Sequence, residues 1–136
     1  MRHAAWCDRG GRVSIVGGET TGSEAVTPLA NAWRFDPETA RFVAAAGLSV
    51  ARTLAAPVPG DDDEVLLIGG QTAAAPASAR LSTWSAADGE LPWQDLPAPR
   101  VWHTAHRLPA GQTLVVGGED GNGGFVSDLL ILEPSR

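Results

Sequence analysis

The dipeptide Gly-Gly closes a short apolar, β-branched run three times in this 136-residue chain, at Gly17-Gly18, Gly69-Gly70 and Gly117-Gly118, at intervals of 52 and 48 residues. A run of this kind with glycines at its exit reads as a strand entering a turn that needs positive φ or a close backbone approach. Val13 to Val16, Val65 to Ile68 and Leu114 to Val116 are therefore expected strands. Recurrence at roughly 50 residues points to a repeat architecture, each unit one small sheet.

The register extends beyond the glycines. Arg52 and Arg100 each precede the next pair by 17 residues, and each follows a leucine, Leu48 or Leu96, by four. His3 and His103 stand 14 residues before their pairs, and Ala55 takes that place in the middle unit. Downstream, the stretch from Asn31 to Pro37 is answered by Asp128 to Pro134. Leu81-Ser82-Thr83-Trp84 offers a looser alternation that suits a half-buried strand. Phe42 and Trp93 then open a short further strand. Three units result, at approximately 2–47, 48–95 and 96–136 of a single domain. Each has an inner strand, a glycine-ended second, an aromatic third and a short outer fourth. The last unit lacks a recognisable fourth strand, and the first unit's counterpart of Arg100 would fall just before Met1.

The string Arg-Val-Trp-His-Thr-Ala-His-Arg-Leu-Pro-Ala-Gly-Gln-Thr-Leu-Val-Val-Gly-Gly, from Arg100 to Gly118, resembles the blades of kelch-repeat proteins, in particular bacterial kelch-like ones. The likeness spans nearly the whole chain. It implies an all-β fold, a partial kelch-type β-propeller of two to three four-stranded antiparallel blades. Propellers close with four to eight blades, so the ring is not closed by this chain alone. Closure then comes from a longer parent chain, favoured by an amino terminus that begins inside a repeat, or from a homodimer whose two copies bring about six blades.

A formal charge of −6 argues against a nucleic-acid partner, which needs a basic surface. No apolar stretch reaches membrane-span length. Met1 to Gly11 lacks the hydrophobic segment of a secretory signal, so the chain as written is expected to stay in the cytoplasm; a truncated start would reopen secretion. All ten basic residues are arginine, which with abundant alanine suggests a GC-rich bacterial genome. The lone Cys7 cannot form an internal disulfide and reads as a small buried hydrophobe. Small alanine side chains leave much of the core to five tryptophans.

Candidate contacts follow from the repeat. The loops Glu19–Pro28, Gln71–Ser78 and Glu119–Phe125 leave the glycine pairs and differ in length, as recognition loops on a fixed scaffold do. Glu19, Gln71, Glu119 and Asp120 open them, and Trp102 offers an apolar body with a polar tip. Arg52 and Arg100, at the links between blades, are able to satisfy several turn carbonyls. In propellers these links share the loop face. His3 and His103 are expected near the central channel, a ring N–H donated to a neighbouring carbonyl. His103 and His106, an odd distance apart on a strand, face opposite ways, and no metal is expected.

Glu119 to Gly124 lacks the ligand spacing of a calcium loop. Asp61-Asp62-Asp63-Glu64 reads as a solvated turn on the opposite face. Copper radical oxidases with kelch-like propellers require tyrosines, and this chain has none. A nucleophile elbow, a phosphate-binding loop and paired carboxylates are also missing. The sequence thus reads as a protein- or glycan-binding or scaffold module without a cofactor or catalytic activity of its own. A fragment of a propeller enzyme, such as a sugar oxidase or sialic-acid isomerase, is the alternative, and the remnant of a truncated gene a third.

Overall fold

Each glycine-ended run forms the second strand of a small antiparallel sheet in the computed structural model, which describes residues 1–22 and 25–134. Blade 1 contains β1 (Ala4–Cys7) and β2 (Val13–Val16). A small hairpin of β3 (Glu19–Thr21) and β4 (Val26–Pro28) follows, then β5 (Ala32–Asp36) and β6 (Arg41–Ala45). The order is β1-β2-β5-β6. Blade 2 is entered through β7 (Arg52–Thr53) and has β8 (Ala56–Pro59) and β9 (Glu64–Ile68). After β10 (Gln71–Thr72), which pairs with β7, come β11 (Ser78–Ser85) and β12 (Gly89–Arg100). Blade 3 has β13 (Thr104–Arg107), β14 (Thr113–Val116) and β15 (Leu129–Leu132), three strands among the described residues.

The chain is all-β, a partial propeller of small antiparallel sheets, with no closed barrel among the described residues. No helix among the described residues is long and apolar enough to cross a membrane. β12 is longer than the expected short outer strand. It runs across the 95/96 junction as far as Arg100, which pairs with Ser78, and a register shift between Ser78 and Arg80 accommodates the extra residues.

Alternation along the strands gives blade 2 two packing faces. On its front, Val65, Leu67 and Trp84 meet Ala4, Val16 and Ala32 of blade 1. On its back, Ile68 and Leu81 meet Val115 and Leu132 of blade 3. Alanines on the blade 1 side leave room for a tryptophan pair: Trp6 and Trp84 sit edge to face at 5.2 Å and 81°. The Trp84 Nε1–H donates to the Ala46 carbonyl at 2.7 Å, so the buried indole keeps no unmet donor.

The glycine pairs join the blades. All six glycines have positive φ, from 57° at Gly69 to 107° at Gly118. The first N–H of each pair stays in its own sheet, donating to Asn31, Arg80 or Asp128. In blades 1 and 2 the second N–H reaches the link that leads into the next blade, Gly18 to the Arg52 carbonyl at 3.0 Å and Gly70 to the Arg100 carbonyl, at the end of β12, at 3.1 Å. Two successive left-handed residues swing the second N–H out of its own sheet toward the neighbour. A side chain at Gly70 would also place a Cβ 2.5 Å from the Thr53 carbonyl. Gly70→Ala is therefore expected to lower unfolding free energy by at least about 2 kcal/mol. Gly123→Ala, at φ 88° in open space, should cost about 1 kcal/mol. Urea titration of both variants measures the difference, and equal costs would contradict this role for the pair.

Candidate functional site

The sequence-selected arginines are internal ties. Arg52 and Arg100 are buried, and each sends Nη1 to the first glycine carbonyl 17 residues on, Gly69 or Gly117, at 3.2 Å. Their backbone carbonyls receive the glycine N–H of the preceding blade, so each arginine holds two blades in register. Arg100 then meets Asp128 at 3.1 Å. Arg52 meets Glu90, at 2.6 Å, in a fully internal pair. Neither arginine presents a surface to a partner.

Glu90, on β12, was not legible as part of this network. Its carboxylate also accepts from Ser82 at 2.7 Å, Ser49 Oγ at 2.7 Å, Arg80 Nε at 3.1 Å and the backbone N–H groups of Ser49 and Val50. Burial alone would raise its pKa. Hydrogen bonds from Ser82, the charge of Arg52, and donors from Ser49 and Arg80 overcome that and hold it at about 2. Burial pulls Arg52 down to about 10 against the attraction of Glu90, and Arg80 adds to the fall.

Trp102, the one exposed residue among the sequence-selected candidates, stands at the inner edge of the arc. Ahead of the first strand of each blade stands a non-glycine residue with a left-handed backbone: Arg2 (φ 54°), Leu54 (59°) and Trp102 (59°). These occupy one repeat position, the residue before His3, Ala55 and His103. Together they border an open groove of about 410 Å³ that also reaches His3 and His103. Trp102 lies outside any strand and is 54% exposed. The Arg2 guanidinium, from blade 1, sits 5.1 Å from the ring centroid of Trp102 in blade 3, in cation–π range. Glu19 anchors that arginine from below. Its buried carboxylate lies 3.1 Å from Arg2 Nη1, without the alignment of a hydrogen bond. Extending the repeat alignment by one residue would have found Arg2.

Glu19, Gln71 and Glu119 do occupy equivalent places, each paired through its backbone with the residue two before the histidine position: Met1, Thr53 and Val101. Asp120 turns inward. Its Oδ1 accepts from the backbone of Asn122 at 2.7 Å and Gly124 at 3.0 Å, closing the loop on itself. Phe125, at the end of that loop, is 86% exposed.

His103 is buried, while His3 and His106 are exposed. The expected ring-to-carbonyl hydrogen bond is not formed: both ring nitrogens lack a partner in hydrogen-bonding geometry, although the Ile68 carbonyl is near enough to favour the charged form slightly. Instead the Cε1 edge abuts Gly69, where a Cβ would lie 2.7 Å away. Burial, with the Arg100 charge, lowers the His103 pKa to about 4.

On the opposite rim the acidic turn Asp61 to Glu64 is exposed, as expected, and also makes ion pairs across the blades. Asp61 pairs with Arg9 of blade 1 and Arg107 of blade 3, and Asp63 with Arg34. Cys7, expected inside, is exposed, because among the described residues no blade covers that face of blade 1. Among the described residues no three metal-ligating side chains cluster. No protein-family model and no curated protein matches the chain.

Two outcomes test these environments. Glu90 has a depressed folded pKa, so its stabilisation is complete above the ordinary value of 4.5 and disappears as pH falls toward 2. Glu90→Gln should cost about 3–5 kcal/mol at pH 7, by leaving Arg52 buried without its counter-charge, and should flatten the acid limb of a urea stability profile. His103 acts over a different window. Between pH 6.5 and 4 the unfolded chain takes up a proton that the native imidazole refuses, so stability declines by up to about 3 kcal/mol. His103→Gln should remove that decline, and an unchanged slope would show that the native ring titrates freely.

Proposed function

We propose that the chain is a segment of a kelch-type propeller that binds a protein or glycan partner at the mouth of its axis, as an interaction module with no catalytic chemistry of its own. The observation that carries this reading is Trp102. Its half-exposed indole projects from a left-handed backbone, a conformation that is costly for a bulky side chain, and it lies beside the Arg2 guanidinium. Strain retained at a solvent-facing residue is characteristic of functional positions. Tryptophan and arginine are also the side chains that most often dominate binding energy.

The surroundings support the same reading. Loops leave equivalent glycine exits next to Met1, Thr53 and Val101, the neighbours of the groove residues Arg2, Leu54 and Trp102, and Phe125 adds a second exposed aromatic on one of them. No carboxylate lines the groove among the described residues, because Glu19 is committed beneath Arg2. The kelch likeness of Arg100 to Gly118 supports the architecture, whereas the binding role rests on these side chains.

The purified chain, probed with a glycan array and a displayed peptide library, should retain ligands through this mouth. For a retained ligand, Trp102→Ala should weaken the calorimetric affinity at least about tenfold. Leu91→Ala, at an exposed outer-strand position, should leave it unchanged. Full affinity in the Trp102 variant would remove the axial mouth as the binding surface.

A further inference from the structure

Among the described residues, blades 1 and 3 each have one broad face without a neighbour, and these faces are the two halves of an interface that the chain already builds twice. On blade 1, Ile15 and Trp33 are directly paired, as are Phe35 and Phe42, on the side turned away from blade 2. Trp33 is 44% and Phe42 54% exposed. On blade 3, Val116 pairs with Leu129 and Leu114 with Ile131, again on the side away from blade 2, and Leu129 and Ile131 are among the exposed large hydrophobic residues.

Repeat equivalence identifies what these faces fit. Val13 and Ile15 correspond to Val65 and Leu67, the front of blade 2, which is buried against blade 1. Leu114 and Val116 correspond to Leu66 and Ile68, the back of blade 2, which packs on blade 3. The free face of blade 1 is thus a front lacking a back, and that of blade 3 a back lacking a front.

We propose that a second copy of this chain completes the ring, the back of blade 3 in each copy seated on the front of blade 1 in the other. The occupant follows from continuity with the two interior interfaces, because a second copy carries both missing surfaces in the required sense. A head-to-tail contact closes when its rotation completes a circle. Two copies of three blades bring six, within the four to eight at which propellers close. Closure would surround the axial groove with two sets of Arg2, His3 and Trp102. The proposal rests on the sheet faces and not on any ligand, so it stands or falls separately from the binding reading.

Light scattering on the chain at micromolar concentration should give twice the chain mass. Trp33→Asp and Ile131→Asp should each give a folded monomer by circular dichroism. Mixing the two variants should restore a species of dimer mass at higher concentration, since each keeps the face that the other has lost. Phe42→Asp with Leu129→Asp should behave alike, which guards against one substitution disturbing its blade. A cooperatively folded wild-type monomer, growing polymers, failure of the mixture to complement, or loss of dimer in the Trp33 variant alone would each overturn the proposal.

Discussion

Everything in this arc depends on a divided pair of amide groups. At the exits of β2 and β9, one glycine N–H completes its own sheet and the next completes the neighbour's link, through Arg52 or Arg100. A single peptide step therefore converts hydrogen bonding within a blade into hydrogen bonding between blades. Only residues tolerant of two consecutive positive φ angles make that step without strain. The arginine answers from the other side, its carbonyl used by one blade and its guanidinium by the next. Apolar packing between the sheets then has a fixed register to act on, and Trp84 settles against Trp6 and the alanines rather than sliding past them.

This logic explains which parts could be read from the chain alone. Strand positions, blade number and the structural glycines were legible because the constraint recurs at fixed spacing, and spacing is written directly in sequence. The equivalence of Arg52 and Arg100 was legible for the same reason. Glu90 was not, since its importance arises from a three-dimensional convergence of Arg52, Arg80, Ser82 and Ser49 that blade 3 replaces with Asp128. Cys7 misled because burial was judged from residue type, whereas its face has no neighbour among the described residues. The partnerless ring of His103 likewise reflects packing against Gly69, a contact between blades that no local pattern encodes.

The axial mouth combines both kinds of information. Its position follows from the repeat, which places Arg2, Leu54 and Trp102 at equivalent sharp bends. Its chemistry comes from the differences among the copies. The same backbone geometry carries a cation, an aliphatic chain and an indole, so one rigid frame presents three unlike groups. Glu19, itself at a repeated position, is diverted from the surface to hold the cation in place. The middle blade contributes small apolar groups that keep the space between the outer two open.

The arc is held very differently at the two ends of its inner strands. At the glycine-exit end, backbone amides and buried guanidinium groups link successive blades in places shielded from solvent. At the opposite end of the same inner strands, in the turns that leave β1 and β8 and at the end of β13, the three blades are clipped together by Asp61, whose carboxylate reaches a largely exposed Arg9 and a partly exposed Arg107. Pairs of that kind are weakened by dissolved ions, whereas shielded ones are much less so. Raised ionic strength accordingly loosens the ties at one end of the arc and leaves the fastening at the other end in place.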